Sequence, residues 1–475
     1  MTTVSSFLAQ APFPDQVTTD LFAVNVLYVV AASAVLLIIA GLAMIEAGLV
    51  AHRNFQDVVL QKMGAALIGG MAFAIVGYGV WNWQFYTALG IPDPFSQAIK
   101  DWWIGGSAIN EFSHRLDPEV VPHADALQIF LAFNIAFGAL VCALIHSVGL
   151  ERMKPAATYI ISALVGGIVF PFTLYLTWGS ASPLTTAGTH DYVGLFAAYI
   201  FVAVFGLFLV WRLGPRLGAF REDPRTPGPV PNNLGLTAIG VLVILFAIPL
   251  LVLGCGYFTP GEGYNGISMS ESAIGTVFNN VFVALCAGGI TGLIIAYLTK
   301  NSLFFMLGPI AGYVSGAAAF DVVYPWEMFL IALPAPILMY AVYKLLYRVG
   351  LDERRIIPLG LGPGVYGVLI VGIVEWGTPT GGYFGIEEGK YAFLGSEINL
   401  WWQLIGLGAI AAIALVSAIV IVLGVEKTVG LRVTEEEELA GLDLTYWPTP
   451  LPRDNGEIVV GGEPLPEGSG ARAAI

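Results

Sequence analysis

Residues 190–213 read HDYVGLFAAYIFVAVFGLFLVWRL, in which an aspartate is followed by an apolar run that carries no charge before Arg212. A helix needs about 20 apolar residues to cross the ~30 Å hydrocarbon core of a bilayer. A carboxylate that enters lipid is energetically expensive, so Asp191 at the head of this run needs a structural or functional reason. The stretch therefore predicts a transmembrane helix that begins at an acidic residue.

The whole chain has the composition of a membrane protein. Of its 475 residues, 57% are hydrophobic and only 11% are charged, whereas soluble proteins contain about 25% charged residues. We therefore predict an all-α integral membrane protein, multi-pass in the cell membrane, with the lipid bilayer as its surroundings. Eleven runs are long enough to span it: 22–49, 58–82, 124–149, 156–178, 191–213, 234–257, 271–298, 303–323, 325–347, 356–375 and 400–424.

The distribution of Lys and Arg predicts how the chain is oriented. If the N-terminus lies outside, the outer loops contain only Lys100, Arg115 and Lys390, and the other basic residues fall at or near the inner ends of the spans. Positive charge accumulates on the cytoplasmic side of membrane proteins, so we expect an N-out, C-in topology. Its parts are an extracytoplasmic segment 1–21, an eleven-helix membrane domain 22–424, and a cytosolic tail 425–475.

Two groups of five spans lie on either side of the basic, Pro-rich linker 212–233. An odd number of spans in each group gives the two halves opposite orientations. The fifth span begins at Asp191 and the tenth follows Asp352 and Glu353, which would lie on opposite faces of the membrane. The sequence therefore predicts a 5+5 inverted repeat plus one peripheral helix, with a solute path near mid-membrane between the halves.

Nothing in the sequence indicates an enzyme. Cys142, Cys255 and Cys286 lie in apolar runs without metal-ligand spacing, so we expect core residues and no metal site. None of the Gly-rich patterns follows a strand, which argues against a phosphate-binding loop. No histidine follows His190 to complete a catalytic arrangement. We expect no catalytic residues, no cofactor and no nucleic-acid partner.

Two polar residues near the spans allow alternative interpretations. We expect His190 to be an interfacial surface residue, with a pH-sensitive outer gate as the alternative. Glu46 lies inside the first span, and an acid there normally faces the helix bundle or a partner. It could make a polar contact near the cytosolic exit or a contact between subunits.

Several motifs together resemble the ammonium transporter (Amt/Mep/Rh) superfamily. They are 41-GLAMIEAGLVAHRN-54, 151-ERMK-154, 177-TWG-179, 191-DYVG-194, 214-GPR-216, 307-LGPIAGYVS-315 and, most specifically, 425-VEKTVGLRVTEEEELAGLDL-444. The resemblance implies eleven spans, an N-out topology and a homotrimer with one pore in each protomer. It also implies a small-molecule solute, ammonia or ammonium by default.

The resemblance assigns expected roles to individual residues. Phe137 and Cys255 occupy the positions of the two gate phenylalanines, and Trp178, Asp191 and Thr259 those of the outer recruitment site. For Asp191 the alternatives are capping of the helix, which its position in the first turn favours, and solute recruitment. The family's cytosolic tail packs under the trimer and communicates with a PII-type signalling protein, and its motif here includes Gly430, Leu431, Arg432, Gly441 and Asp443.

The main departure from the family lies at the centre of the pore. The family's pore is lined by two histidines, whose positions fall on Tyr199 and Leu361 in this chain. Imidazole titrates near pH 6.5 and can carry a proton on either nitrogen, so two adjacent imidazoles can pass protons through a dry pore. Tyrosine has a pKa near 10 and leucine carries no exchangeable proton. The sequence therefore predicts a family member without the usual proton relay.

Three functions are compatible with that departure. The protein could pass neutral ammonia or another small uncharged solute without coupled charge, or a re-lined path could serve a different solute. Alternatively, the pore is occluded and the protein is a non-conducting sensor or structural trimer. Because the chain carries the tail motif that regulates the pore in the family, we expect conduction of a solute.

Overall fold

The computed structural model describes residues 19–110, 124–220, 228–259, 263–266, 271–380, 386, 389–392, 396–448, 451–452, 458–460 and 463–464. Within these residues, 10 helices are long and apolar enough to cross a membrane, which confirms the predicted all-α, multi-pass membrane fold. The number of eleven spans and the orientation stay predictions. The ten candidate spans are Ala23–Leu49, His52–Ala88, Gln128–Val148, Pro155–Trp178, Leu195–Leu213, Leu234–Val252, Ile274–Thr299, Pro325–Arg348, Ile356–Val374 and Leu400–Thr428.

Most spans are single α-helices, and several contain a wider π-helical turn. The α-helices are Thr19–Leu49, Phe55–Ala72, Tyr78–Ala88, Pro94–Trp102, Ser107–Asn110, Ala124–Val148, Pro155–Leu164, Phe170–Trp178, Phe201–Leu213, Leu234–Val252, Ile274–Thr299, Leu303–Gly316, Pro325–Ala332, Ala335–Arg348, Ile356–Leu359, Val365–Val374, Leu400–Thr428, Glu435–Ala440 and Leu442–Tyr446. The π-helical turns are Phe73–Gly77, Val165–Val169, Leu195–Ile200 and Gly360–Gly364, and short 3-10 turns occur at His52–Asn54 and Thr185–Ala187.

Short strands occur only outside the helices in the described residues. They form two three-stranded antiparallel sheets. The first is β1 Gly256–Thr259, β2 Gly263–Gly266 and β3 Glu271–Ser272, and the second is β4 Leu451–Pro452, β5 Ile458–Val460 and β6 Glu463–Pro464. Strand β1 begins where the predicted sixth span was to continue to residue 257, so that helix ends earlier than expected, at Val252.

The eighth hydrophobic segment differs from its prediction. Its helix, Leu303–Gly316, has 14 residues and is too short for a straight span. The chain continues as a buried turn through residues 317–323. The amide of Asn280 donates to the carbonyl oxygens of Phe320 and Val323, both at 2.8 Å. Non-helical backbone is tolerated at membrane depth when protein groups satisfy it, and Asn280 does so here.

The fifth and tenth spans are built alike and begin on opposite sides of the helix bundle. Glu353 accepts hydrogen bonds from the backbone N–H groups of Ile356 and Ile357, at 3.1 and 2.7 Å, and Asp191 has the equivalent position in the fifth span. Both spans contain a π-helical turn near their start. They cross closely, since a Cβ atom on Gly360 would lie 2.5 Å from the carbonyl oxygen of Tyr199. The two spans therefore contact each other in the middle of the helix bundle.

The eleventh span lies against the fifth. Gln403 accepts from the backbone N–H of His190 and donates to its carbonyl oxygen, both at 2.9 Å. This helix continues to Thr428, beyond the predicted boundary at 424, and leads directly into the tail. We call the face of the bundle where residues 429–448 lie the tail side, and the opposite face the far side.

Candidate functional site

A narrow cavity of about 60 Å³ lies between the two halves of the protein. Most of its lining is aliphatic, and only four of the lining side chains carry a polar group. Tyr199 and Tyr313 lie in its middle part, and Glu46 and Arg355 lie near the tail side. The apolar lining residues are Ile38, Leu42, Ile45, Phe137, Leu140, Leu144, Val193, Ala198, Ile244, Ile248, Leu251, Leu307, Ile310, Ile356 and Leu359.

Tyr199 forms a pair with a second tyrosine. Its ring meets that of Tyr313 edge to face, with centroids 6.3 Å apart and an interplanar angle of 72°. Tyr313 lies on the short eighth helix, within the stretch 307-LGPIAGYVS-315 that carries part of the family resemblance. Sequence reasoning did not single it out, because its contact with Tyr199 spans more than a hundred residues. The polar centre of the cavity is therefore a tyrosine pair.

Leu361 is not brought to the cavity. It is partly buried and is not among the lining residues, whereas Ile356 and Leu359 of the same span are. Leu361 lies inside the π-helical turn Gly360–Gly364, which changes the helical phase of the residues there. Its predicted place at the pore centre stays a prediction, and Leu359 is the lining side chain nearest to it along the span.

At the far side, the end of the cavity is formed by stacked aromatic rings. Phe137 lies on Trp178 with centroids 5.5 Å apart and an interplanar angle of 15°. The indole N–H of Trp178 donates to the carbonyl oxygen of Asp191 at 2.8 Å. Gly194 has a positive φ of 75°, and a Cβ there would lie 3.0 Å from Phe137, so a glycine is needed at this turn. Of the two predicted outer aromatic residues, Phe137 lines the cavity, and Trp178 is fully buried behind it.

Cys255 and Thr259 lie beyond the end of the sixth span. Cys255 is buried, and its thiol donates to the carbonyl oxygen of Leu251 at 3.8 Å. Leu251 lines the cavity and Cys255 does not. Thr259 is in strand β1, and its side chain lies outside the described part of the chain. Leu251, an aliphatic residue one helical turn before Cys255, is therefore the lining residue nearest to the predicted second gate position.

Asp191 caps the fifth span. Its carboxylate accepts from the backbone N–H groups of Leu195 and Phe196, at 2.6 and 3.0 Å, and the residue is fully buried. These N–H groups have no partner within the helix and need an acceptor. The capping alternative is therefore what the geometry shows, and a contribution to solute recruitment stays a prediction.

His190 is not the surface residue that we expected. It is fully buried, and its Nε2 lies 3.1 Å from Oδ1 of Asp321, which is also buried. Asp321 belongs to the turn after the eighth helix, so the pair joins that turn to the start of the fifth span. Burial acts to lower the pKa of His190, but the charge of Asp321 outweighs it and raises the pKa above its ordinary value of 6.5. Asp191 and Glu375 add to that increase.

Replacing Asp321 with asparagine is expected to destabilise the protein in a pH-dependent manner. Because the folded pKa of His190 is raised, the pair contributes stability that is fully present below about pH 6.5 and is lost as the pH rises through the folded value. The variant should lose about 3 kcal/mol near pH 6 and come closer to the wild type at alkaline pH. Thermal unfolding in detergent across this range measures the gap. Glu375→Gln removes a charge that raises the pKa of His190 less than that of Asp321 does, so it should show a smaller gap with the same dependence on pH. A gap that is independent of pH would contradict the assignment.

A buried cluster of charges lies at the tail-side end of the cavity. Glu46 is 2.7 Å from Nζ of Lys62 and 3.4 Å from the guanidinium of Arg355. The ammonium of Lys62 also donates to the carbonyl oxygen of Ala143 and the hydroxyl of Ser147, both at 2.8 Å. Of the two expected roles for Glu46, the structure shows a contact inside the protomer at this end of the path. Sequence reasoning named neither Lys62 nor Arg355 as its partner.

The predicted tail residues all contact the tail-side loops. Arg432 donates to the carbonyl oxygen of Leu213 at 2.6 Å and to Glu438 at 2.8 Å, and the carbonyl oxygen of Leu431 accepts from the backbone N–H of Lys154.

The other three predicted tail residues are Gly430, Gly441 and Asp443. The two glycines adopt a backbone conformation that favours glycine, and Asp443 caps a second helix. Gly430 and Gly441 have positive φ values, 79° and 96°, that favour glycine. The carboxylate of Asp443 accepts from the backbone N–H groups of Gln56 and Asp57, at 3.0 and 2.7 Å. The tail is therefore tied to three separate turns of the tail side.

The comparison with known proteins agrees with this architecture. The model of the Ammonium Transporter Family matches residues 26–448. Ammonium transporter Amt1 of Methanocaldococcus jannaschii is 28% identical over 84% of this chain and 98% of its own length. Ammonium transporter Amt1 of Haloferax mediterranei is 26% identical over 85% of this chain and 74% of its own.

Solved structures show the same fold. A structure titled Sensor Amt Protein superimposes with a TM-score of 0.69 and 20% identity, and it covers 90% of this chain and 99% of that one. Mep2 of Candida albicans superimposes with a TM-score of 0.66 and 17% identity, over 90% of each chain. Since the family model matches most of the chain, the protein belongs to the ammonium transporter family and is a multi-pass protein of the plasma membrane.

Proposed function

We propose that this protein passes neutral ammonia, or another small neutral solute, through the cavity of each protomer without moving charge. The observation that supports this proposal is the lining of the cavity. Its middle part is aliphatic apart from Tyr199 and Tyr313, and no histidine is among the lining residues. A bare cation in such surroundings costs several kcal/mol or more. Ammonium would therefore need to lose its proton before entry.

The tyrosine pair does not replace a histidine relay. A phenol has a pKa near 10, so at neutral pH it neither accepts nor releases a proton easily. The hydroxyls of Tyr199 and Tyr313 can donate to or accept from a passing neutral molecule, as Ser and Thr hydroxyls do. The pair thus supplies a polar contact for ammonia but no path for its proton. Protons left behind on the far side would make the transport electroneutral.

The protomer is proposed to work within a homotrimer, oriented N-out and C-in, so that the far side is extracellular. Large apolar side chains are exposed on several spans, among them Trp211, Phe246 and Tyr297, and they need lipid or another protomer around them. The tail 425–475 is proposed as a cytosolic regulatory segment with a PII-type signalling protein as partner. Its contacts with Leu213, Lys154 and Gln56 would allow it to act on several spans at once. The residues 1–21 and 22–424 are proposed as the extracytoplasmic segment and the transport domain.

The alternative function is a non-conducting sensor or structural trimer. The observation that favours it is the small volume of the cavity, about 60 Å³, together with the charged side chains at its tail-side end. The resemblance to the structure titled Sensor Amt Protein is at 20% identity and concerns the fold alone. No enzymatic role is proposed, because the family consists of transporters.

Flux measurements on proteoliposomes test the proposal directly. In vesicles that contain the wild-type protein, we expect an ammonia pulse to change the internal pH faster than in protein-free vesicles, as measured by stopped-flow fluorescence. We expect no ammonium-dependent current on a solid-supported membrane, because no side chain relays the proton. Methylammonium and carbon dioxide serve as further test solutes.

The outcomes separate the candidate functions. A saturable ammonium current in the wild type would overturn electroneutral transport. If no solute crosses faster than in protein-free vesicles, the sensor or structural function is the correct one. Tyr199→Phe is a useful companion variant, because it removes the hydroxyl while keeping the ring that contacts Tyr313. This variant should change the rate of ammonia passage and, like the wild type, give no ammonium-dependent current.

A further inference from the structure

Arg355 separates two cavities. It lines the central cavity, and it also lines a second cavity of about 220 Å³ on the tail side. Among the described residues it is the only one that lines both. Arg355 therefore lies between the solute path and the space that, in the proposed orientation, opens to the cytosol.

Three contacts from different elements hold this side chain in place. Its guanidinium lies 3.4 Å from Oε1 of Glu46 and 3.9 Å from Glu353, and it donates to the carbonyl oxygen of Ser147 at 3.2 Å. The first span, the third span and the start of the tenth span thus converge on one side chain. It is 13% exposed, while Glu46 is 1% exposed. A long, flexible side chain at a partly exposed position can move away without unfolding its surroundings, provided that the ion pair opens.

The partner carboxylate is fixed from its other side. Glu46 also pairs with Lys62, which is fully buried and bonded to Ala143 and Ser147. If Arg355 moves away, Glu46 therefore keeps a charged partner and is not left as an isolated buried charge. The loss of the Glu46–Arg355 contact then costs less than the loss of an isolated buried pair would. Arg355 is thus the more exposed partner of the pair, and Glu46 with Lys62 is the more buried one.

We infer that Arg355 is the inner gate of the solute path and that its ion pair with Glu46 is the latch that holds the gate closed. This inference rests on the proposed passage of a neutral solute. A small neutral molecule leaves the central cavity when the guanidinium turns away from Glu46. A cation at the same place meets the positive charge of Arg355, with that of Lys62 behind it, so the gate also disfavours cations that come from the tail-side cavity.

The test compares four variants in the stopped-flow assay with ammonia and methylamine as solutes. Arg355→Met keeps the bulk of the side chain and removes its charge, and Glu46→Gln weakens the same pair from the other side. Arg355→Lys keeps the charge. Arg354→Gln is the matched control, since Arg354 is 35% exposed, lies 3.8 Å from Asp352 and lines only the tail-side cavity. Size-exclusion chromatography and thermal unfolding show which variants are folded.

We expect Arg355→Met to raise the flux by about tenfold, which corresponds to about 1.4 kcal/mol of latch energy. Glu46→Gln should raise it in the same direction, and Arg355→Lys and Arg354→Gln should stay close to the wild type. Folded Arg355→Met with wild-type flux would overturn the gate, as would an equal increase in Arg354→Gln. If Arg355→Met does not fold, the result with Glu46→Gln decides in the same way.

The same assay distinguishes failure of the gate from failure of the proposed function. A permeable wild type with an unchanged Arg355→Met shows that the function stands and the gate is wrong. An impermeable wild type with a permeable Arg355→Met shows that the gate exists and that the native pore is closed. If both are impermeable, both ideas fail. An ammonium current in the wild type contradicts electroneutral transport. The ratio of the Arg355→Met flux to the wild-type flux still tests whether Arg355 is a gate.

Discussion

Replacing Arg216 with methionine is expected to lower the free energy of unfolding by about 3–5 kcal/mol. The guanidinium of Arg216 lies 2.6 Å from Glu151 and contacts both carboxylate oxygens of Asp352, at 2.7 and 2.9 Å. Both carboxylates are buried, so the variant removes the closest cation from each of them and leaves Asp352 with the more distant Arg354, at 3.8 Å, and Arg152. Arg152 contacts Asp352 only at 3.7 Å through its side chain and replaces little of what is lost.

The pH dependence of this effect follows from the two carboxyl groups. Burial acts to raise their pKa values, but the charge of Arg216 keeps the pKa of Glu151 and that of Asp352 below their ordinary values. Groups with a depressed folded pKa contribute stability that is present above the ordinary pKa, about 4, and is lost as the pH falls through the folded value. The gap between wild type and Arg216→Met should therefore be largest near pH 7 and shrink below about pH 4.

Scanning fluorimetry of the detergent-solubilised protein from pH 3 to pH 8 measures the gap. Arg216→Lys is the control, because it keeps one positive charge but lacks the planar fork that reaches two carboxylates. It should lie between the wild type and Arg216→Met. An Arg216→Met variant as stable as the wild type at pH 7 would show that the contacts of Arg216 with Glu151 and Asp352 contribute no net free energy to folding.

Much of this fold is readable from the sequence, because a bilayer imposes a simple length rule. The apolar runs predict the ten long spans to within a few residues at most ends, since a lipid-facing helix must be apolar over a fixed thickness. The acidic residues Asp191 and Glu353 are predictable as helix starts for a related reason. An acid at the head of an apolar run has the first-turn N–H groups as ready partners. The motif 430–444 identified the tail residues, but their contacts with Leu213, Lys154 and Gln56 come from the structure.

What the sequence does not show is which distant side chains meet. His190 pairs with Asp321, Tyr199 with Tyr313 and Glu46 with Arg355, and each pair joins residues from opposite halves of the chain. No local periodicity contains that information. From the sequence alone, a histidine next to an apolar run is expected at the membrane–water interface, as we expected for His190. The turn after the eighth helix packs against His190 and buries it. That turn itself depends on Asn280, forty residues earlier in the chain.

In the candidate site, too, some features can be read from the sequence and others only from the structure. That no histidine follows His190 is a property of the sequence, and it required no structure. The position of the residue that takes the place of the second histidine depends on helical phase. Leu361 was placed there by its position in the family's motif, which contains no information on helical phase. In the structure Leu361 lies inside a π-helical turn, which closes its hydrogen bond to the fifth residue instead of the fourth, and Ile356 and Leu359 of this span line the cavity.

Replacing Asp191 with alanine is expected to destabilise the protein by about 2–4 kcal/mol, because two buried backbone N–H groups lose their acceptor. Leu195 and Phe196 donate to this carboxylate at 2.6 and 3.0 Å, and the site is closed to water. The start of the fifth span carries Val193 and Gly194, which shape the far-side end of the cavity. A loosened cap should therefore affect the outer part of the path as well as the stability.

Asp191→Asn separates the two roles that the sequence left open. The two carboxylate oxygens of Asp191 each accept from one N–H group, whereas asparagine offers one acceptor oxygen and an NH₂ group that only donates. If capping is the main function, Asp191→Asn should therefore lie between the wild type and Asp191→Ala in stability. Thermal unfolding of the three proteins measures this difference, and stopped-flow uptake at low and high ammonium concentrations measures recruitment. A stable Asp191→Asn with slower uptake only at low concentration would show that the negative charge attracts ammonium to the far side. If Asp191→Asn is as unstable as Asp191→Ala, one acceptor oxygen is not enough for this cap, and both carboxylate oxygens of Asp191 are needed to hold the start of the fifth span.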